Sequence, residues 1–153
     1  MREARRDNKP IVYIGFGSIT VPRPNRVTAQ IVKAVTRSLF DLQSNIHRSN
    51  RGAVGGVRAI ISKGWSKRMA NVEDNSEMTI PPQCYMLDKV PHDWLFPQID
   101  AAMHHGGAGT TGASLRAGIP TLIRPWFGDQ FFWASRVEKL GVHALKFCHS
   151  LVC

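Results

Sequence analysis

His104-His105-Gly106-Gly107-Ala108-Gly109-Thr110-Thr111, with Asp129-Gln130 arriving nineteen residues after Thr110, is the stretch that decides the reading of this 153-residue chain. It follows an apolar run, Ile99 to Met103, that reads as the end of a buried strand. It leads into Gly112-Ala113-Ser114-Leu115-Arg116-Ala117, which has helix-forming composition. A strand, a glycine-rich turn and a helix start form an anion site, because free backbone N–H groups and the positive end of the helix dipole converge there. Glycines let the backbone approach the anion closely, with no Cβ in the way. His105 at the mouth adds a hydrogen-bond donor, as a nucleotide's diphosphate needs.

Working outward, Pro10-Ile11-Val12-Tyr13-Ile14-Gly15-Phe16-Gly17-Ser18 reads as a buried strand closing in a tight Gly-X-Gly-Ser loop. Pro22 and Pro24 bracket that loop, and Asn25 is a candidate N-cap. Val27, Ile31, Val35 and Leu39 recur every four residues, with Ala34 and Phe40 widening the stripe, so an amphipathic helix packs on the sheet. Gln43 to Gly56 has no periodicity and reads as an exposed loop or insertion. Val57 to Ile61 is a second strand ending at Lys63-Gly64-Trp65-Ser66, and Asn71 to Thr79 a polar loop closed by Pro81-Pro82. Cys84 to Leu87 is a third strand and Pro91 to Phe96 a short helical turn. Asp100 to Met103 and Thr121 to Ile123 are the fourth and fifth strands, separated by a helix that Gly118-Ile119-Pro120 stops. A final helix covers Asp129 to Leu140.

This order predicts an α/β fold with a doubly wound parallel sheet, Rossmann-like. Ligands in such sheets sit beyond the carboxyl ends of the strands. Ser18, Trp65, Val90, His105 and Asp129 each fall just past a strand end, so one crevice can gather them.

The length suits one domain with a core of its own. No apolar run approaches the twenty or so residues of a membrane span, and the charged N-terminus lacks the apolar core of a secretory signal. Three cysteines, Cys84, Cys148 and Cys153, make an odd count that favours free thiols in a reducing compartment. His143, Cys148, His149 and Cys153 match no closed zinc spacing, and the stretch reads as an irregular tail. The net charge of +9 divides into +11 over residues 1–70 and −2 over residues 71–153. Few aromatics interleave with the basic residues, so a solvated or lipid-facing surface fits better than a nucleic-acid groove.

Three segments carry a family resemblance: Lys9 to Ser18, Lys63-Gly64-Trp65-Ser66, and the long block from Val90 to Val137. They resemble the C-terminal, donor-binding half of UDP-sugar glycosyltransferases of GT-B architecture, and most closely that of sterol 3-β-glucosyltransferases. The resemblance implies that residues 1–9 are a linker from an acceptor domain, 10–142 a UDP-sugar-binding domain, and 143–153 a divergent tail. It implies diphosphate binding by Ser18, His105, Gly107, Ala108, Gly109 and Thr110, and sugar binding by Asp129 and Gln130. It also implies nucleoside binding by backbone groups of Val90 and by Trp65. UDP-glucose is then the donor substrate, with no cofactor and no metal required.

The expected reaction is inverting transfer of glucose to the 3-hydroxyl of a sterol. The base of such enzymes is a histidine of the acceptor domain, and His92, His104 and His105 do not sit in a matching context, so no catalytic residue is assigned in this chain. Partners implied are a UDP-sugar, a sterol or other lipid acceptor met through the other domain, and a membrane surface, with no nucleic acid. The implied location is cytoplasmic, peripheral at membranes. Two alternatives stand beside this: a non-catalytic nucleotide-sugar-binding fragment, and a related transferase for another lipid or a polyketide. Simpler roles also compete at single residues. His104 can fill space or cap its strand, Asp129 can cap the last helix, and Trp94, Phe96, Trp126, Phe127, Phe131, Phe132 and Trp133 can be core or interface.

Overall fold

A computed structural model describes residues 9–19, 24–45, 56–64 and 80–141. The β-branched and aromatic run Ile11–Gly15 forms β1, at the centre of a sheet covered on both faces, where such runs are most stable. After it come α1 (Pro24–Asn45), β2 (Arg58–Ser62), β3 (Cys84–Leu87) and the short α2 (His92–Leu95), which runs into a 3-10 turn, Phe96–Gln98. Then follow β4 (Ala101–His104), α3 (Ala108–Arg116), β5 (Thr121–Ile123) and α4 (Gln130–Lys139).

All strand pairs are parallel and the order is β3-β2-β1-β4-β5. The chain builds outward from β1 to β3, then returns to β1's other edge for β4 and continues to β5. The direction of building reverses between β1 and β4, the kind of switch point beyond whose carboxyl ends ligands of such sheets bind. The doubly wound α/β architecture read from the sequence is therefore the fold.

Alternation of side chains divides the core into two. Ile11, Tyr13, Ile60 and Ala102 face Leu95, Phe96, Ile99 and Ala113 of α2, its 3-10 extension and α3. Ile14, Ala59 and Ile61 face Ile31, Val32 and Val35 of α1 on the other side. Asp100 fixes the start of the β1–β4 pair by accepting the Ile11 N–H at 2.8 Å while its own N–H donates to the Ile11 carbonyl at 2.9 Å.

Element boundaries differ from the sequence reading by one to three residues, with two consequences. His104, not Met103, ends β4, which places it inside the sheet. Helix α1 extends to Asn45, past the predicted break at Gln43. Pro24 opens α1, where a missing N–H costs nothing, so Asn25 lies within the helix rather than capping it. Ala34 is exposed, and Thr28 and Val32 instead widen the buried stripe of Ile31 and Val35. The side chains of Leu39 and Phe40 lie outside the described residues, as do Pro22, Trp65, residues 1–8 of the expected linker 1–9, most of the predicted loop 43–56, all of 71–79, and the expected tail 143–153. Among the described residues no helix is long and apolar enough to cross a membrane.

Phe96 is wholly buried, 5.3 Å from the Tyr13 ring and 4.7 Å from His92. Phe96→Ala is expected to cost about 3–5 kcal/mol, the range for emptying an aromatic core position. Urea denaturation of the two chains measures it.

Candidate functional site

The loops after β1 and β4 meet at the crevice through His105. A Cβ on Gly17 would stand 2.9 Å from the His105 Cε1, and one on Gly107 would stand 2.6 Å from its Nε2. The imidazole thus lies between two glycines, in space that any other residue would fill. Gly17 also has φ +64, so its loop turns through a conformation that favours glycine. Gly106 has φ +91 and lies so close to Ile123 Cγ2 and the Gln130 carbonyl that a side chain would collide with them. The β5 end and the α4 start are thereby drawn to the same crevice.

Helix α3 begins here without a side-chain cap. Its N-cap, Gly107, is extended, and the first helical bond runs from the Thr111 N–H to the Gly107 carbonyl at 2.9 Å. The N–H groups of Ala108, Gly109 and Thr110 precede that bond and have no acceptor within the helix. Ala108 and Gly109 are exposed, so the positive end of a nine-residue helix opens to solvent beside His105.

His104 is fully buried. Its Nδ1 accepts the Gly106 N–H at 3.1 Å, and its Nε2 lies 3.3 Å from Ser114 Oγ, which donates to the Thr111 carbonyl at 2.9 Å. Since Nδ1 accepts, the ring proton belongs on Nε2. Burial, reinforced by the neighbouring His105 and His92, pushes its pKa down to about 3. His105 is half-buried and its Nδ1 has no partner. Burial, then His92, lowers its pKa, while Asp129 and the Gly15 carbonyl act the other way. A lowered pKa leaves His105 neutral at pH 7, with one ring N–H to donate.

The other sequence-selected residues distribute around this centre. Ser18 is exposed on the β1 loop, and Val90 is half-buried after β3, against the Tyr13–Phe96 core. Thr110 is half-buried in the first turn of α3. Asp129 is exposed at the start of α4, but its carboxylate makes no cap bond; it accepts the Trp133 indole N–H at 3.1 Å. Gln130 is only 3% exposed, and its Oε1 accepts the N–H groups of Trp126 at 2.8 Å and Phe127 at 3.2 Å. Its amide therefore shapes the loop between β5 and α4.

Two groupings were not read from the sequence. The Tyr13 ring fills the space beside Gly15, and its hydroxyl lies 3.1 Å from His92 Nε2, a pairing across 79 residues that no local pattern announces. Burial raises the Tyr13 pKa, with a Ser62 hydrogen bond opposing it, so the phenol stays protonated. The Arg124 guanidinium stacks 3.9 Å from the Trp126 ring centre, and Trp126 meets Phe16 edge-on at 5.8 Å. Of the aromatics read as core or interface, Phe96 is core, whereas Trp94, Phe127, Phe131 and Phe132 are about half exposed. Among the described residues no three His, Cys, Asp or Glu side chains gather as a metal site would require.

Residues 68–148, just over half of the chain, match the family model described as erythromycin biosynthesis protein CIII-like, C-terminal domain. The chain is 51% identical over 142 residues to a sterol 3-beta-glucosyltransferase of Candida albicans, covering 92% of this chain and 8% of that relative. The chain thus spans less than a tenth of that relative's length. Among solved structures, the glycotransferase of kitacinnamycin superposes with a TM-score of 0.62 at 18% identity, covering 91% of this chain and 30% of that one. A glycosyltransferase of a Streptomyces species, complexed with thymidine diphosphate, superposes with a TM-score of 0.55 at 18% identity, over 87% and 28% of the two chains. At such identities the structural likeness concerns the fold.

The buried His104 makes stability acid-sensitive. Its folded pKa of about 3 lies below the ordinary 6.5, so the unfolded chain takes up the proton first. Its contribution is complete above pH 6.5 and declines as pH falls from 6.5 towards 3. Between pH 7 and pH 5 the unfolding free energy of the wild type is expected to drop by about 2 kcal/mol more than that of His104→Asn. Urea titrations at the two pH values give the comparison.

Proposed function

The chain belongs to the family of the erythromycin biosynthesis protein CIII-like C-terminal domain, and from that premise we propose that it is the donor-binding half of a glycosyltransferase. The donor is a UDP-sugar, with UDP-glucose the leading candidate, and the acceptor is the 3-hydroxyl of a sterol. The observation that carries the reading is the His105 ring held between Gly17 and Gly107 beside the uncapped start of α3. That arrangement suits a diphosphate: a neutral imidazole donor lies beside a helix start whose first three backbone N–H groups have no acceptor within the helix.

In this reading His105 and the N–H groups of Ala108, Gly109 and Thr110 hold the diphosphate, with hydroxyls from Ser18 and Thr110. As the anomeric C–O bond breaks, negative charge grows on the departing UDP. Fixed donors stabilise that charge more than they stabilise the ground state. The acceptor oxygen attacks from the opposite face, giving inversion, and its proton passes to a base in the acceptor half of a longer protein. No metal or cofactor takes part. Asp129 accepts a sugar hydroxyl, and Gln130, its carbonyl committed to the Trp126–Phe127 turn, has its NH2 group left to offer. Backbone groups at Val90 meet the base, with Trp65 beside the nucleoside.

The domain assignment follows: 10–142 bind the donor, with 1–9 a linker and 143–153 a divergent tail. A sterol acceptor would be met at a membrane surface, with the protein peripheral to it on the cytoplasmic side. The match over 68–148 also supports a second reading, in which the acceptor is a polyketide or another lipid. The 51% identity to a sterol enzyme favours the first.

Calorimetric titration with UDP and UDP-glucose is expected to show saturable binding that His105→Ala weakens by about 1 kcal/mol or more, the worth of one such hydrogen bond. A folded chain that binds neither ligand contradicts the proposal. Gly107→Ala, which drives a methyl into the His105 ring, is expected to abolish most of the binding while leaving the helical circular dichroism intact.

A further inference from the structure

Next to His105 sits a second histidine whose position is costly. His104 ends β4 on the same face as Ala102, inside the core, where an apolar residue would pack without any desolvation penalty. Both of its ring nitrogens are occupied, and by groups of one small region. Nδ1 takes the N–H of Gly106, the residue at φ +91 that turns the chain from His105 to Gly107. Nε2 faces Ser114, whose hydroxyl passes the bond on to the Thr111 carbonyl in the first turns of α3. Thr111 in turn bonds back to Gly107. The ring therefore ties the strand end, the glycine turn and the helix start into one closed circuit. Every group assigned to the diphosphate between His105 and Thr110 lies within that circuit.

We propose that His104 is a positioning residue: a neutral imidazole with its proton on Nε2 that locks the Gly106 turn to α3, so that His105 and the α3 N–H groups hold a single ligand-ready geometry. It never touches the ligand. This rests on the donor-site reading. Protonating Nδ1 would set two donors, the ring N–H and the Gly106 N–H, against each other, so the circuit requires the neutral ring. The low pKa is consistent with that requirement.

The test uses the full chain and UDP as the probe. His104→Leu fills the space and offers no acceptor; His104→Asn places an amide oxygen near the position of Nδ1 and restores the bond to Gly106. UDP is expected to bind His104→Leu about tenfold more weakly, and His104→Asn within about threefold of the wild type, one buried hydrogen bond being the difference. Equal, wild-type affinity in both variants overturns the proposal, since a space-filling residue would behave that way. Nitrogen-15 spectra of the wild-type ring decide the matter if His104→Leu does not fold. A ring protonated on Nε2 whose shifts stay constant from about pH 8 to about pH 5, across the ordinary histidine range, supports it. A ring protonated on Nδ1, or one titrating near the ordinary value, overturns it. If the wild type ignores UDP, the donor reading fails, and the ring spectrum alone then upholds or overturns the locked circuit.

Discussion

The pairing of Gly15 with His104 across β1 and β4 is the constraint on which the rest depends. These strands lie next to each other although some 85 residues separate them, and their parallel register, started by the Asp100–Ile11 bonds, sets their ends level. Once the ends are level, the next residues of each loop must share one space. The chain solves this with glycine on both sides of a single aromatic ring: Gly17 from one loop, Gly107 from the other, His105 between them. Ile123, paired with His104 on the far side, brings β5 into contact with Gly106, and Gln130 closes the same corner from α4. Two-faced burial of the sheet makes the register rigid, because a one-residue slip would turn Tyr13 and Ile14 to the wrong cores.

Electrostatics at the crevice comes from backbone more than from charged side chains. The described histidines His92, His104 and His105 all have lowered pKa values, with burial the largest cause in each. Neutral rings suit a site built on aligned N–H groups: they donate without demanding the solvation of a full charge. Arg124 lies on the loop after β5, stacked on Trp126, and burial lowers its pKa too. The basic residues on α1, Arg26, Lys33 and Arg37, are exposed and belong to the solvent face of that helix.

Much of this was legible in the sequence because the signals are local. The β-branched and aromatic run Pro10–Phe16 marks β1, short apolar runs between turn residues mark β2 to β5, and the step from Ala102–Met103 through glycines into Ala113–Leu115 marks the start of α3. The glycine stop at Gly118, with φ +66, was likewise local. What escaped was decided by distant packing. Ala34 has the right character for the α1 stripe but the wrong angle, and Val32 takes its place. The Tyr13–His92 pair and the Arg124–Trp126 stack join groups that only the fold brings together. The bonds by which the Gln130 carbonyl accepts the Trp126 and Phe127 N–H groups are stated by no spacing rule either. His104 fills space at the end of β4, as its sequence context suggests, but its two-ended bonding to Gly106 and Ser114 becomes visible only in three dimensions.

In the proposed function, a nucleotide diphosphate binds past the ends of β1 and β4, at the start of α3. Proton–nitrogen correlation spectra of the labelled chain, recorded during titration with UDP, test it most directly. The largest shifts are expected on the amides of Gly17, His105, Ala108, Gly109 and Thr110, all saturating at one concentration. Shifts centred instead on the exposed aromatics Phe127, Phe131 and Phe132, with the α3 amides unmoved, would contradict it.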